Sequence, residues 1–264
     1  VLLYAHHDVQ PVGDISLWNT DPFQPEMIDG RLFGRGSGDN KSGVVVHYNV
    51  IKQLIDELPV NIKVFIEGEE EIGSPTMALF IEQNREALEA DVIIIADSGN
   101  VKIGVPTITT TLRGLVDGII EVDQPMRPIH SGVGGGVVPD AFMVLSRIIS
   151  SFHDDKGNLM IEGLTSTDMK VTELEESFLK KMLGSDDIAL FDTESISKRL
   201  WLEPALDVLA IDAPPVKEAV NLVIPKARAK VSLRLPPTED PDHAMKMLED
   251  HIMKNIPWDA SVKF

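Results

Sequence analysis

The chain has 264 residues, is 43% hydrophobic and lacks cysteine, and its 24 Lys and Arg against 42 Asp and Glu give a formal charge of −18. Its length and apolar content suit one large or two medium domains, and two are expected. The charge would repel phosphate backbones and anionic lipid, so nucleic acid and membrane are not expected partners, and without thiols any metal must be held by nitrogen and oxygen.

No run approaches the ~18 apolar residues of a spanning helix and no secretory leader is visible, so the cytoplasm is the expected compartment. The sequence opens inside an apolar stretch, Val1-Leu2-Leu3-Tyr4, and stops inside another, Ser261-Val262-Lys263-Phe264. It therefore reads as a fragment cut at both ends, and the missing leader carries little weight.

In chain order, β-rich runs at residues 1–5, 60–66 and 92–96 alternate with helical patterns at 41–58 and 74–89, the α/β alternation of a sheet covered by helices. The strands are almost continuously apolar, which predicts central positions. Residues 8–33, rich in Pro, Gly and Asp, read as an irregular excursion. From residue 108 the pattern becomes a long strand to 122, a helix over about 139–153, strands at 205–210 and 227–235, a helix over 241–254 and a final strand. That is the β-α-β-β-α-β order of a ferredoxin-like unit, interrupted by an insertion at 156–203 with a helix expected over 171–183. The domain boundary is expected at residues 103–107.

Chemistry-bearing residues cluster where strands end. His6 and Asp8 are one residue apart after an apolar strand and so point to one side, which lets Asp8 orient a ligating imidazole; taken alone, the pair is a strand-end turn, and His7 faces away. Gly34 to Gly43 resembles a phosphate loop, but Asn40 stands where a Walker sequence needs Gly, and Asp39 where a dinucleotide fingerprint does. The glycines then leave Asp39 projecting at a helix start, where by itself it would be a helix cap. The acidic run from Glu67 to Glu71 would ordinarily be a solvated face. Its place at a strand's carboxyl end, where α/β sites form, allows the adjacent Glu70 and Glu71 to divide the work, one accepting a proton and the other binding metal. Asp97 follows a third strand, as a ligand or a turn residue. His130 sits in a glycine-rich stretch that could be only a flexible loop, and Arg234 is either an outward strand cation or a clamp for a substrate carboxylate.

Tyr-Ala-His-His-Asp-Val-Gln-Pro, Gly-Arg-Gly-Ser-Gly-Asp-Asn-Lys and Glu-Gly-Glu-Glu-Glu-Ile-Gly-Ser together resemble the three ligand motifs of the dinuclear zinc peptidases grouped with aminoacylase, carnosinase-type dipeptidases and succinyl-diaminopimelate desuccinylase. The resemblance covers essentially the whole chain. It implies an incomplete α/β zinc-peptidase catalytic domain over residues 1–106 and a ferredoxin-like α+β lid or dimerisation domain over 107–264, truncated at its C-terminal end. It also implies a homodimer formed through that lid and a small peptide substrate.

Residue by residue, the resemblance implies His6, Asp39 and Asp97 on one zinc, with Asp39 bridging to a second zinc held by Glu71. Glu70 would be the general base and Asp8 the orienter of His6. His130 would reach the partner subunit's site to polarise the scissile carbonyl, Arg234 would meet a substrate carboxylate, and the Asp39–Asn40 peptide would be cis. Asn40 and Ser42 replace an Asp and a Gly common in the family, without loss of a ligand. The resemblance puts the family's last histidine past residue 264; His47 and His153 sit on predicted helices, and His243 and His251 are expected at the surface of the last helix, so none substitutes for it. The second metal site is therefore incomplete and the fragment is expected to be inactive. Zinc is the default ion, and Co2+ or Mn2+ suits the same donors. The expected reaction is hydrolysis of dipeptides or small peptides with a free carboxylate. The alternatives are an N-acyl amino acid deacylase or desuccinylase on the same scaffold, and a non-catalytic dimerisation module that binds cations weakly.

Overall fold

A computed structural model describes residues 1–100 and 104–264. The chain divides into two compact units, Val1–Thr109 and Thr110–Phe264; Ile103, the first residue of the expected boundary, lies outside the described residues.

The first unit contains β1 (Leu2–His6), a hairpin of β2 (Glu26–Ile28) and β3 (Arg31–Phe33), α1 (Lys41–Leu54), β4 (Lys63–Glu67), α2 (Met77–Gln83), α3 (Arg85–Leu88) and β5 (Ile93–Ile95). Parallel pairing sets β1 between β4 and β5, with His6 opposite Glu67 and Tyr4 opposite Ile95. All three strands thus end at the same edge of the sheet, which fixes where their following residues gather. Of the three strands expected to be central, only β1 has two strand partners among the described residues; β4 and β5 pair on one side, and Ile93, Ile94 and Ile95 are exposed.

Helix α1 starts where the Asn40 side chain accepts the Gly43 N–H at 3.1 Å. Gly43 is required there, because a Cβ would lie 2.2 Å from the Ala96 carbonyl oxygen and 2.1 Å from Asn40 Oδ1. The absent side chain lets the first turn of α1 press against the backbone that leads to Asp97. The helix expected over 74–89 is two pieces, broken at Asn84, whose N–H reaches back to Phe80 and Ile81.

The second unit contains β6 (Gly114–Asp123), β7 (Ile129–His130), α4 (Ser131–Gly134), α5 (Ala141–Ser150), α6 (Glu176–Leu183), α7 (Ile196–Trp201), β8 (Ala205–Asp212), β9 (Leu222–Val223), β10 (Lys226–Leu235), α8 (Pro241–Lys254) and β11 (Val262–Lys263). Its main sheet is antiparallel in the order β11-β6-β10-β8. Along β10, Ala227, Ala229, Val231, Leu233 and Leu235 are buried with Val116, Ile120 and Val122 of β6 against α5 and α8. The alternate residues Lys226, Arg228, Lys230 and Arg234 are exposed on the other face, as period-two alternation requires. Three of these four make ion pairs there: Lys226 with Asp123 at 3.0 Å, Lys230 with Asp117 at 3.3 Å, and Arg228 with Asp212.

Leu248 of α8 is fully buried in this core. Leu248→Ala should cost about 2–5 kcal/mol through lost transfer energy and the cavity left behind, read as a lower denaturant midpoint; a cost below about 1 kcal/mol would mean that α8 does not pack as described. Among the described residues, no helix is long and apolar enough to cross a membrane.

Candidate metal centre

The residues that follow β1, β4 and β5 converge on one imidazole. His6 is fully buried at the end of β1, and its Nε2 lies 2.9 Å from Asp39 Oδ1, 3.5 Å from Asp97 Oδ1 and 3.8 Å from Glu70 Oε2. A zinc ion with bonds of 2.0–2.2 Å in a tetrahedral site needs donor atoms about 3.4 Å apart. The observed spacings bracket that value. Two triads of donor atoms, His6 with Glu70 and Asp97 and His6 with Asp39 and Glu71, lie within 4.8 Å of one another. One imidazole nitrogen among carboxylate oxygens is a donor set suited to zinc, cobalt or manganese, so the residues present fit such an ion. Neither triad includes a second histidine.

The other imidazole nitrogen faces Asp8. His6 Nδ1 is 3.2 Å from the Asp8 carbonyl oxygen and 3.3 Å from its Oδ1, so its proton is directed to this residue and Nε2 is left to the acidic cluster. Asp8 Oδ2 also accepts the Glu71 N–H at 3.0 Å. One carboxylate therefore ties the end of β1 to the short 3-10 turn Glu70–Ile72.

Local charge moves the protonation equilibria. Burial pushes the Glu70 carboxyl above its ordinary value, and Asp97, Glu71 and Asp39 push it further against the opposing His6. Burial lowers the His6 pKa, but the Asp39 hydrogen bond and the charges of Asp97 and Glu70 outweigh it and the net direction is up. Asp8 is also penalised by burial; the N–H groups of Glu71, Asp8 and Glu70, with His6, reverse this and hold its carboxyl low.

Asp39 does not cap α1. Asn40 does, and the Asp39 carboxylate turns to His6 across a cis Asp39–Asn40 peptide. Several supporting contacts escaped sequence reasoning. Asn40 Nδ2 donates to Asp97 Oδ1 at 2.6 Å. Gln10 holds Glu71 by its main-chain N–H at 3.2 Å and its amide at 2.8 Å, and Tyr4 donates its hydroxyl to the buried Glu67. Asn40 and Gln10 lie inside the quoted motifs, so the signal was present, but a neutral amide carries no spacing rule of its own.

In the second unit, His130 pairs across β7 and β9 with Leu222, and its exposed ring accepts the Gly132 N–H at 3.1 Å through Nδ1. Arg234 stands on the open face of β10 between Leu115 and Ala205. His47 is buried, with Nε2 2.8 Å from the Tyr4 carbonyl oxygen, and the exposed His243 contacts Glu239. His251, expected at the surface, is half-buried because it stacks on Phe152 and contacts Ser151. His153, expected on a helix, lies beyond the end of α5.

Comparison with known proteins adds ancestry to this geometry. The chain is 36% identical over 270 residues to the cysteinylglycine-S-conjugate dipeptidase of Corynebacterium striatum, covering 100% of this chain and 59% of the relative. It is 31% identical over 268 residues to the human Beta-Ala-His dipeptidase, covering 96% and 53%. Among solved structures, the M20 family metallo-carboxypeptidase Sso-CP2 of Sulfolobus solfataricus superposes with a TM-score of 0.81 at 31% identity, over 99% of this chain and 62% of that one. The di-peptidase Dug1p of Saccharomyces cerevisiae gives 0.82 at 25% identity, over 99% and 59%. The chain thus spans less than two thirds of the length of each. Residues 2–256 match the description Peptidase family M20/M25/M40, and the chain belongs to that family of metallopeptidases.

Proposed function

We propose that this chain carries the metal centre and the lid of a two-zinc dipeptidase acting on dipeptides or small peptides with a free C-terminal carboxylate. The observation that carries the reading is the gathering of Asp39, Asp97 and Glu70 around His6 Nε2, with Glu71 in the second triad. In this reading His6, Asp39 and Asp97 would hold one zinc, and Asp39 together with Glu71 would serve a second. When bound, the ions polarise the scissile carbonyl and acidify water at neutral pH.

The protein's own groups do the rest. Glu70 takes the proton of the attacking water and returns it to the departing amine nitrogen; its raised pKa suits both directions. Asp8 keeps the His6 tautomer that presents Nε2. His130, carried on a dimerisation domain of residues 107–264, donates to the carbonyl oxygen in the partner's site, and Arg234 takes the substrate carboxylate. The relatives' dipeptidase names support dipeptides as the substrates; in this reading the working form is a cytoplasmic homodimer and this chain alone is inactive.

The test is made on the complete protein, by metal content and a substrate panel. It should retain two zinc ions per chain through dialysis and hydrolyse Cys-Gly or β-Ala-His at least about tenfold faster than N-acetyl or N-succinyl amino acids. Preference for the acyl amino acids would replace this reading with a deacylase. Loss of all metal on dialysis would favour a non-catalytic module.

A further inference from the structure

The second unit has an open-mouthed cavity of about 470 Å3 between the insertion and the edge strand β8, inside the range of small-molecule sites. Its walls are apolar, from Leu159, Ile161, Leu164, Leu190, Phe191 and Leu200, with five charged or titratable side chains at the lining: Arg113, His153, Arg199, Glu203 and Asp207.

Three of the five are accounted for by the fold. Arg199 donates to the carbonyl oxygens of Asp192 and Gly157 and packs over the Phe191 ring at 4.9 Å. Glu203 is 3.9 Å from Lys198, and Asp207 lies exposed on β8. Arg113 differs. It is half-buried and, among the described residues, makes neither a hydrogen bond nor an ion pair. Its pKa is lowered by burial first and by the positive charge of Arg234 second, and Asp207 opposes this only in part. A partly desolvated guanidinium beside another cation, offset only in part by Asp207, is an incompletely compensated charge that a bound anion relieves. His153 also lacks a side-chain partner among the described residues, and burial lowers its pKa, which leaves a neutral imidazole at the cavity. Glu203 and Asp207 at the margin disfavour a dianion such as phosphate, and the leucines require an apolar body.

We infer that this cavity binds a small monocarboxylate with an apolar body, its carboxylate on the Arg113 guanidinium, its remaining oxygen within reach of the His153 ring and its hydrocarbon against the insertion. The site uses residues of the second unit alone and does not depend on the metal chemistry proposed above.

Calorimetric titration of the chain with 4-phenylbutyrate and with the neutral 4-phenylbutyramide tests it without any substitution: the acid should bind at least about tenfold more tightly than the amide. Arg113→Met, checked for folding by circular dichroism, should remove the preference for the acid. Leu190→Trp, which fills the cavity from its loop wall and leaves Arg113 intact, should abolish binding of both. Equal affinity for acid and amide, no binding of the acid at millimolar concentration, or undiminished acid binding in either folded variant would overturn the assignment.

Discussion

Glu70→Gln in the complete enzyme should lower kcat by about 10²–10⁴-fold, the contribution of a well-placed general base, while zinc content and the thermal midpoint hold steady. The substitution is close to isosteric and spares the Glu70 main-chain N–H on which Asp8 relies. It removes only the capacity to take up a proton. A competing role is visible in the geometry, because Glu70 Oε2 lies 3.8 Å from His6 Nε2 and forms a triad with Asp97. If Glu70 were a ligand, the Gln variant would lose metal along with activity, so metal analysis separates the two roles. Unchanged turnover with full metal would refute the assignment as base.

Asp39→Ala should remove more. A carboxylate shared between two ions supports both, so the variant should retain less than one zinc per chain after dialysis, with apparent metal affinity reduced by at least about 100-fold, the upper end of what outer-shell changes cost. The folded chain should tolerate the change, because the Asp39 side chain is 72% exposed and, among the described residues, hydrogen-bonds only to His6 Nε2. Removing it also relieves crowding among carboxylates, so the thermal midpoint of the metal-free protein should hold or rise. Full retention of two zinc ions would show that the bridge lies elsewhere; a large drop in metal-free stability would show that Asp39 is structural.

Much of this was legible in the residues, for identifiable reasons. Apolar runs located β1, β4 and β5 to within a few residues, and His6 and Asp97 were recognisable because each follows such a run. The same runs could not tell a central strand from an edge one, since burial depends on neighbours that a window does not contain. The hairpin of β2 and β3 was missed because its three-residue strands are exposed throughout and show no alternation. Its turn was nevertheless spelled out: Asp29-Gly30 adopts positive φ at both positions, 49° and 75°, as a type I′ turn demands. Helix α7 was overlooked although Ser195 caps it by accepting the Lys198 N–H.

In the centre itself, charged groups announced themselves and the neutral groups that aim them did not. Taken alone, Asp39 before a helix could be a cap, and only the motif it belongs to marked it as a ligand; the three-dimensional path shows that Asn40 does the capping. His251 read as a surface residue because helical spacing does not reveal that Phe152 packs against its ring.

The threading of the first sheet has a kinetic side. β1 comes first in the chain, yet its partners are residues 63–67 and 93–95. On a ribosome adding about 5–20 residues per second, Leu2 to Ala5 would wait roughly 5–20 s for the second flank to be made. Among the described residues β1 has no hairpin partner, and non-local parallel pairing forms slowly. While residues 6–95 are being made, nascent copies therefore carry β1 without its parallel partners, which makes that segment a natural target for ribosome-associated chaperones and a weak point when many copies are synthesised at once.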